Sequence, residues 1–136
     1  MAAAQFVWMG ALVMGVIIGL IELFFVHADE RGLGWLAHGF HALPVAIILT
    51  FIGMNVEPFF ALIGYPITAN VWIEAGVRVV LGIIAVVKVK GAAAVIQGHN
   101  SVGEKLPHAL IIGALIATSP YIWNFLIPVL PAWVPR

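Results

Sequence analysis

The chain has 136 residues, of which 63% are hydrophobic and 9% charged, with a mean hydropathy of +1.12 and no formal net charge. A soluble domain normally carries about 25% charged residues, and a chain this short has too much surface to hide so much apolar material from water. The composition therefore excludes an ordinary water-soluble domain. Zero net charge argues against a nucleic-acid partner, and the lack of cysteine excludes disulfides, thiolate-bound metals and iron–sulfur clusters.

In lipid the backbone must satisfy its own hydrogen bonds, which leaves helices or a closed barrel. Barrel strands alternate apolar and polar residues. Here the runs stay apolar for about 20 residues, the length of a helix that crosses a bilayer core. The sequence thus predicts an all-α integral membrane protein: one polytopic domain over residues 1–136, with four transmembrane helices in a compact bundle.

The first span is expected at about 5–26. It has no basic residues ahead of its core, and that core is longer than the roughly 7–15 residues of a signal peptide, so it reads as a retained anchor. Ala11, Gly15 and Gly19 form a stripe of small residues that lets another helix approach closely. Glu22 continues that stripe. A carboxyl at this depth is expensive and marks a functional candidate.

The stretch His27–His41 (HADERGLGWLAHGFH) follows, with three of the five histidines. Proline suits a first helical turn and disrupts a helix interior. Two readings fit: one helix from Trp35 with Pro44 tolerated inside it, or, as Pro44 favours, a short interfacial helix around residues 33–41, carrying His38 and His41, before a second span at about 43–64. Glu57 lies in the far half of that span, and Pro58 is expected to kink it. Gly64 and Pro66 mark a turn.

The third span is expected at about 71–90. Glu74 and Arg78 are four apart and can pair on one face, which Gly82 continues. Lys88 and Lys90 near its end complement the helix dipole and can snorkel to headgroups. A second polar stretch, Gln97–His108, carries His99 and His108. The fourth span, at about 108–130, has Pro120 inside it and a second small-residue stripe of Ala109, Gly113 and Ala117.

Four spans place all five histidines on one side, together with Asp29 and Glu30. Arg31, Lys88, Lys90 and Lys105 fall on that side, against Arg136 on the other. The positive-inside rule then puts both termini outside and the histidine-rich loops in the cytoplasm. Trp8, Trp72, Trp123 and Trp133 fall toward the outer half, as in an aromatic belt.

No GxSxG, Walker or dinucleotide-binding motif occurs, so an enzyme acting alone is not expected. The leading expectation is a structural or accessory subunit of a larger oligomeric membrane complex. Its partners would be membrane lipid, some of it retained, and other membrane subunits or copies of itself. A second reading is a redox, quinone-linked membrane anchor. His38, His41 and His108 would ligate haem b or a transition metal, and His27, His99, Asp29 and Glu30 would extend a metal site. A third is a small oligomeric ion or proton transporter or channel lined by Glu22, Glu57, Glu74 and Arg78.

Overall fold

The computed structural model describes residues 5–29, 35–65, 67, 70–95, 105–131 and 134, with the backbone alone for 37, 38 and 92–95. These residues form five α-helices: α1 (Trp8–Asp29), α2 (Trp35–Met54), α3 (Val56–Leu62), α4 (Val71–Val95) and α5 (Leu106–Leu126). A 3-10 turn (Ile127–Val129) ends α5, and no strand occurs among the described residues.

The helices pack as two hairpins, α1 with α2 and α4 with α5, and α5 also lies against α1 and α2. Glycines set both hairpins. A Cβ on Gly15 would lie 2.7 Å from Ile47 Cα, and one on Gly19 would lie 3.1 Å from Leu43 Cα. Gly82 and Gly113 face each other so closely that a Cβ on either would sit 2.6–2.7 Å from the other's carbonyl oxygen. The small-residue stripes of Gly15, Gly19, Gly82, Gly113 and Ala117 are thus used inside the chain, to bring backbones together as small residues do in lipid. Met14, Ile18, Leu81, Ile112 and Ile116 fill the space between the hairpins.

α1 and the segment Leu106–Val129 are each long and apolar enough to cross a membrane, and the α2–α3 pair, counted as one bent span, gives a third. The longer α4 carries Glu74, Arg78, Lys88 and Lys90 along its length.

Three sequence expectations are corrected here. Among the described residues no separate interfacial helix precedes Pro44: from Trp35 one helix runs through it to Met54, as the other reading of this stretch had it. Proline removes the N–H that the Phe40 carbonyl would accept, yet the helix continues; one residue further, Lys88 Nζ donates to the His41 carbonyl (2.9 Å). Second, the span expected at about 43–64 is two helices, α2 and α3, bent by 75° at Asn55. Pro58 falls in the first turn of α3, where its missing N–H costs nothing, so the chain starts a new helix there. Third, Trp123 is not a lipid-facing belt residue. It is buried against Gly10, where a Cβ would come within 2.6 Å of its ring. Trp8 and Trp72 are exposed, and Trp133 lies outside the described residues.

Candidate functional site

The polar side chains of the bundle gather in two places, at opposite ends of α1 and α5. The first is the break between α2 and α3. A helix ends with four carbonyls that lack intrahelical partners, and three of those at the end of α2 are satisfied. Asn55 Nδ2 donates to the Phe51 carbonyl (2.8 Å), the Asn55 N–H donates to Ile52 (3.1 Å), and Arg78 Nε donates to Gly53 (3.1 Å). Asn55 Oδ1 meanwhile accepts the Val7 N–H (2.6 Å) at the start of α1. One buried amide therefore serves the end of one helix and the beginning of another.

Arg78 uses all its nitrogens here. Beyond Gly53, its NH2 pairs with Glu74 Oε2 (2.7 Å), its NH1 lies 3.4 Å from the Tyr121 hydroxyl, and its guanidinium sits 5.5 Å from the Tyr121 ring centroid. Glu74, Arg78, Tyr121, Asn124, Val71 and Pro120 line an open cleft of about 310 Å³ on the outer flank between α4 and α5. The i, i+4 pairing expected from the sequence is formed. Glu57, in the first turn of α3, has no cationic partner among the described residues.

Pro120 makes the same kind of demand within α5, since it removes the N–H that the Ile116 carbonyl would accept. The buried Ser119 hydroxyl supplies a substitute, donating to that carbonyl at 2.8 Å. Ser119→Ala is expected to lower stability by about 1–3 kcal/mol, the cost of leaving a buried acceptor unmade. The exposed Thr118 hydroxyl bonds Ala114, whose ordinary helical donor is intact, so Thr118→Ala is expected to change stability by less than about 0.5 kcal/mol. Thermal unfolding in mild detergent, followed by circular dichroism, distinguishes the two.

The second place is the opposite end, where α1 finishes and α5 begins. The Asp29 side chain is 1% exposed; its Oδ2 accepts the Lys105 backbone N–H (2.9 Å) and His108 Nδ1 (2.6 Å), while its Oδ1 forms an ion pair with Lys105 Nζ (3.0 Å). The carboxylate thereby caps α5 from a different helix, where the dipole favours negative charge. The His108 ring lies flat on Phe25, with centroids 4.3 Å apart and planes 11° apart. Held at Nδ1 and on one face, the imidazole has its Nε2 edge as its remaining polar atom. His27 stacks on Trp35 at 3.7 Å in the same region. Asp29→Asn keeps the shape but removes the charge that gathers Lys105 and His108. It is expected to cost about 1.5–3 kcal/mol, the range for a hydrogen bond to a charged group, in the same unfolding measurement.

Between these places lies Glu22, 4% exposed. It feels the Lys88 ammonium without a direct ion pair, and Lys88 itself donates to His41. Of the four acidic and basic groups considered as a path, Glu74 and Arg78 pair at the break and Glu57 lies in the first turn of α3 just beyond it, while Glu22 lies three residues past Gly19 on α1. Among the candidate ligands, the structure joins Asp29 to His108 and places His41 on the exposed side of α2. No group of three His, Asp or Glu side chains suited to a metal occurs among the described residues; His99, Glu30 and the His38 side chain lie outside them.

Sequence reasoning missed Asn55, Ser119, Lys105 and Tyr121. Asn55 three residues before Pro58, and Ser119 directly before Pro120, are readable signals of a helix start and a compensated proline. Nothing local marks Lys105 or Tyr121. No protein-family model matches the chain, and neither the curated proteins nor the solved structures contain a significant match.

Proposed function

We propose that this chain is a multi-pass membrane protein with four membrane-crossing segments and a structural or accessory role in a larger oligomeric membrane complex. The observation that carries this reading is the use made of its intramembrane cations. Arg78 and Lys88 both reach from α4 to backbone carbonyls of α2. Groups that line an ion path keep their polar atoms turned toward that path, whereas these are spent on holding helices together. The cleft beside Arg78 is open, with Tyr121 and Asn124 exposed next to the Glu74–Arg78 pair, as suits polar contact with a neighbouring membrane helix. The charge balance of the loops favours both termini outside and the histidine-rich loops in the cytoplasm.

One observation favours a second reading, a haem- or metal-binding redox anchor. A carboxylate on one nitrogen of an imidazole fixes its orientation for a ligand on the other, and Asp29 does this to His108. His108 is the residue on which that reading rests.

Purification in mild detergent from the native membrane tests both. Stoichiometric co-purifying membrane chains are the expected result. A lone chain carrying a haem absorption band or one equivalent of metal, abolished by His108→Ala, would replace the subunit reading with the second. Proton or ion flux in proteoliposomes, lost in Glu22→Gln, would replace both.

A further inference from the structure

Much of the bundle's outer surface is what lipid requires. α1 turns Leu12, Val16 and Leu20 outward, and α4 turns out Val80 and Ile84. α5 departs from this along one stripe. Ala114, Ala117, Tyr121 and Asn124 recur every three or four residues and so share one side of the helix. Ala114 and Asn124 are exposed, Tyr121 is 54% exposed, and Ala117 is half-buried. Small and hydrogen-bonding residues at this spacing are what membrane helices present to one another. The stripe also has hydrogen-bonding capacity left over. The Tyr121 hydroxyl accepts from Arg78 at 3.4 Å, and its own O–H has no acceptor among the described residues. The Asn124 carboxamide, at the rim of the Arg78 cleft, has no hydrogen-bond partner among them. The hydrocarbon layer has no water to satisfy such groups.

We propose that this stripe joins two copies of the chain side by side, about a two-fold axis along the membrane normal. The inference rests on the reading of the chain as an oligomer-forming membrane protein and names its partner. Two copies inserted in the same orientation hold every residue at the depth of its counterpart, so the axis brings Asn124 to Asn124. A carboxamide carries both donors and an acceptor, and two of them close a reciprocal pair. A foreign helix would need a matching group at that depth, whereas a second copy always has one. The nearby charges fit as well. Glu74 neutralises Arg78 within each chain, at 2.7 Å, so two identical patches meet without net repulsion. Ala114 and Ala117 let the two α5 backbones approach closely. The contact uses the same surface on both copies and closes at two.

The sequence has no cysteine, so single cysteines report the contact in native membranes under catalysed oxidation. A disulfide needs Cα atoms within about 7 Å, so Asn124→Cys and Ala117→Cys are expected to give chain-to-chain dimers roughly tenfold above Val16→Cys and Ile84→Cys, which face outward on α1 and α4. Asn124→Leu, added to Ala117→Cys, is expected to lower that cross-linking severalfold while the circular dichroism spectrum stays unchanged. Native mass spectrometry from mild detergent is expected to show pairs of the wild-type chain and mostly single chains of Asn124→Leu. Equal cross-linking at the stripe and at Val16 and Ile84 would overturn the contact. So would stripe cysteines joined to a different protein, or folded Asn124→Leu that pairs like wild type. Other membrane chains that co-purify while the stripe cysteines stay single would leave the subunit role standing and remove this contact. Stripe disulfides in a preparation with no other chain would uphold the contact and remove the larger complex.

Discussion

Arg78→Met is expected to be the most damaging single polar substitution in the protein, costing about 3–5 kcal/mol, the range for removing one partner of a buried ion pair. The two side chains are shielded, at 12% exposure for Arg78 and 20% for Glu74, so water cannot readily replace what is lost. The substitution strands the Glu74 carboxylate and the Gly53 carbonyl together. Arg78→Lys keeps the charge but has one nitrogen where the guanidinium uses three, so it should recover only part of the loss. Adding Glu74→Gln to Arg78→Met should restore part of it by removing the stranded charge, while the Gly53 carbonyl stays unserved. Denaturant or thermal unfolding in mild detergent gives all four values. Wild-type stability in Arg78→Met would refute the role of Arg78 as the tie between α4 and the broken end of α2.

The second large effect concerns glycines of one helix and predicts a change of sign. Gly76, Gly82 and Gly91 all lie in α4. A Cβ at Gly76 or Gly91 meets nothing within 4 Å, so alanine there is expected to stabilise the helix by about 0.5–1 kcal/mol. At Gly82 the same methyl would lie 2.7 Å from the Gly113 carbonyl oxygen and 3.2 Å from Ala117 Cβ. Backbone cannot rotate away as a side chain can, so α4 and α5 must separate. Gly82→Ala is expected to cost about 1–3 kcal/mol, and Gly82→Leu more. Gly113→Ala, which meets the Gly82 carbonyl and Val86 at 2.6 Å, should behave like Gly82→Ala. Stabilities of the four alanine variants, measured side by side, check the pattern. Equal effects at Gly76 and Gly82 would be incompatible with close α4–α5 contact.

Much of this architecture follows from local pattern. Helical class, the start of α4 at Val71, the Glu74–Arg78 pair and the packing role of the glycine stripes all depend on residues a few positions apart. Pro44 and Pro58 could not be read that way. Whether a proline bends, breaks or merely interrupts a helix depends on what else can serve the freed carbonyls. Beside Pro44, Lys88 reaches the His41 carbonyl from 47 residues away. For the break before Pro58 the helper is Arg78, 25 residues from Gly53. The Asp29 cluster spans a still longer separation, 76 to 79 residues, and its members look like ordinary loop polar residues until the bundle closes. Counting histidines drew attention to the end of the molecule that holds this cluster, whose charged hub is an aspartate.

The reach of α4 toward α2 also bears on how the chain enters the bilayer. An arginine or lysine at the middle of an inserting helix is opposed by about 2.5–3.5 kcal/mol, and α4 carries Arg78 and Lys88 inside its length. Their acceptors, the carbonyls of Gly53 and His41, belong to a helix made earlier in synthesis. The α1–α2 hairpin, apolar and joined by its own glycine contacts, can settle first and offer those carbonyls when α4 emerges. On the proposed four-span topology, insertion of α4 is a docking event that depends on α2, and a truncated chain beginning after α3 is expected to leave α4 outside the hydrocarbon layer.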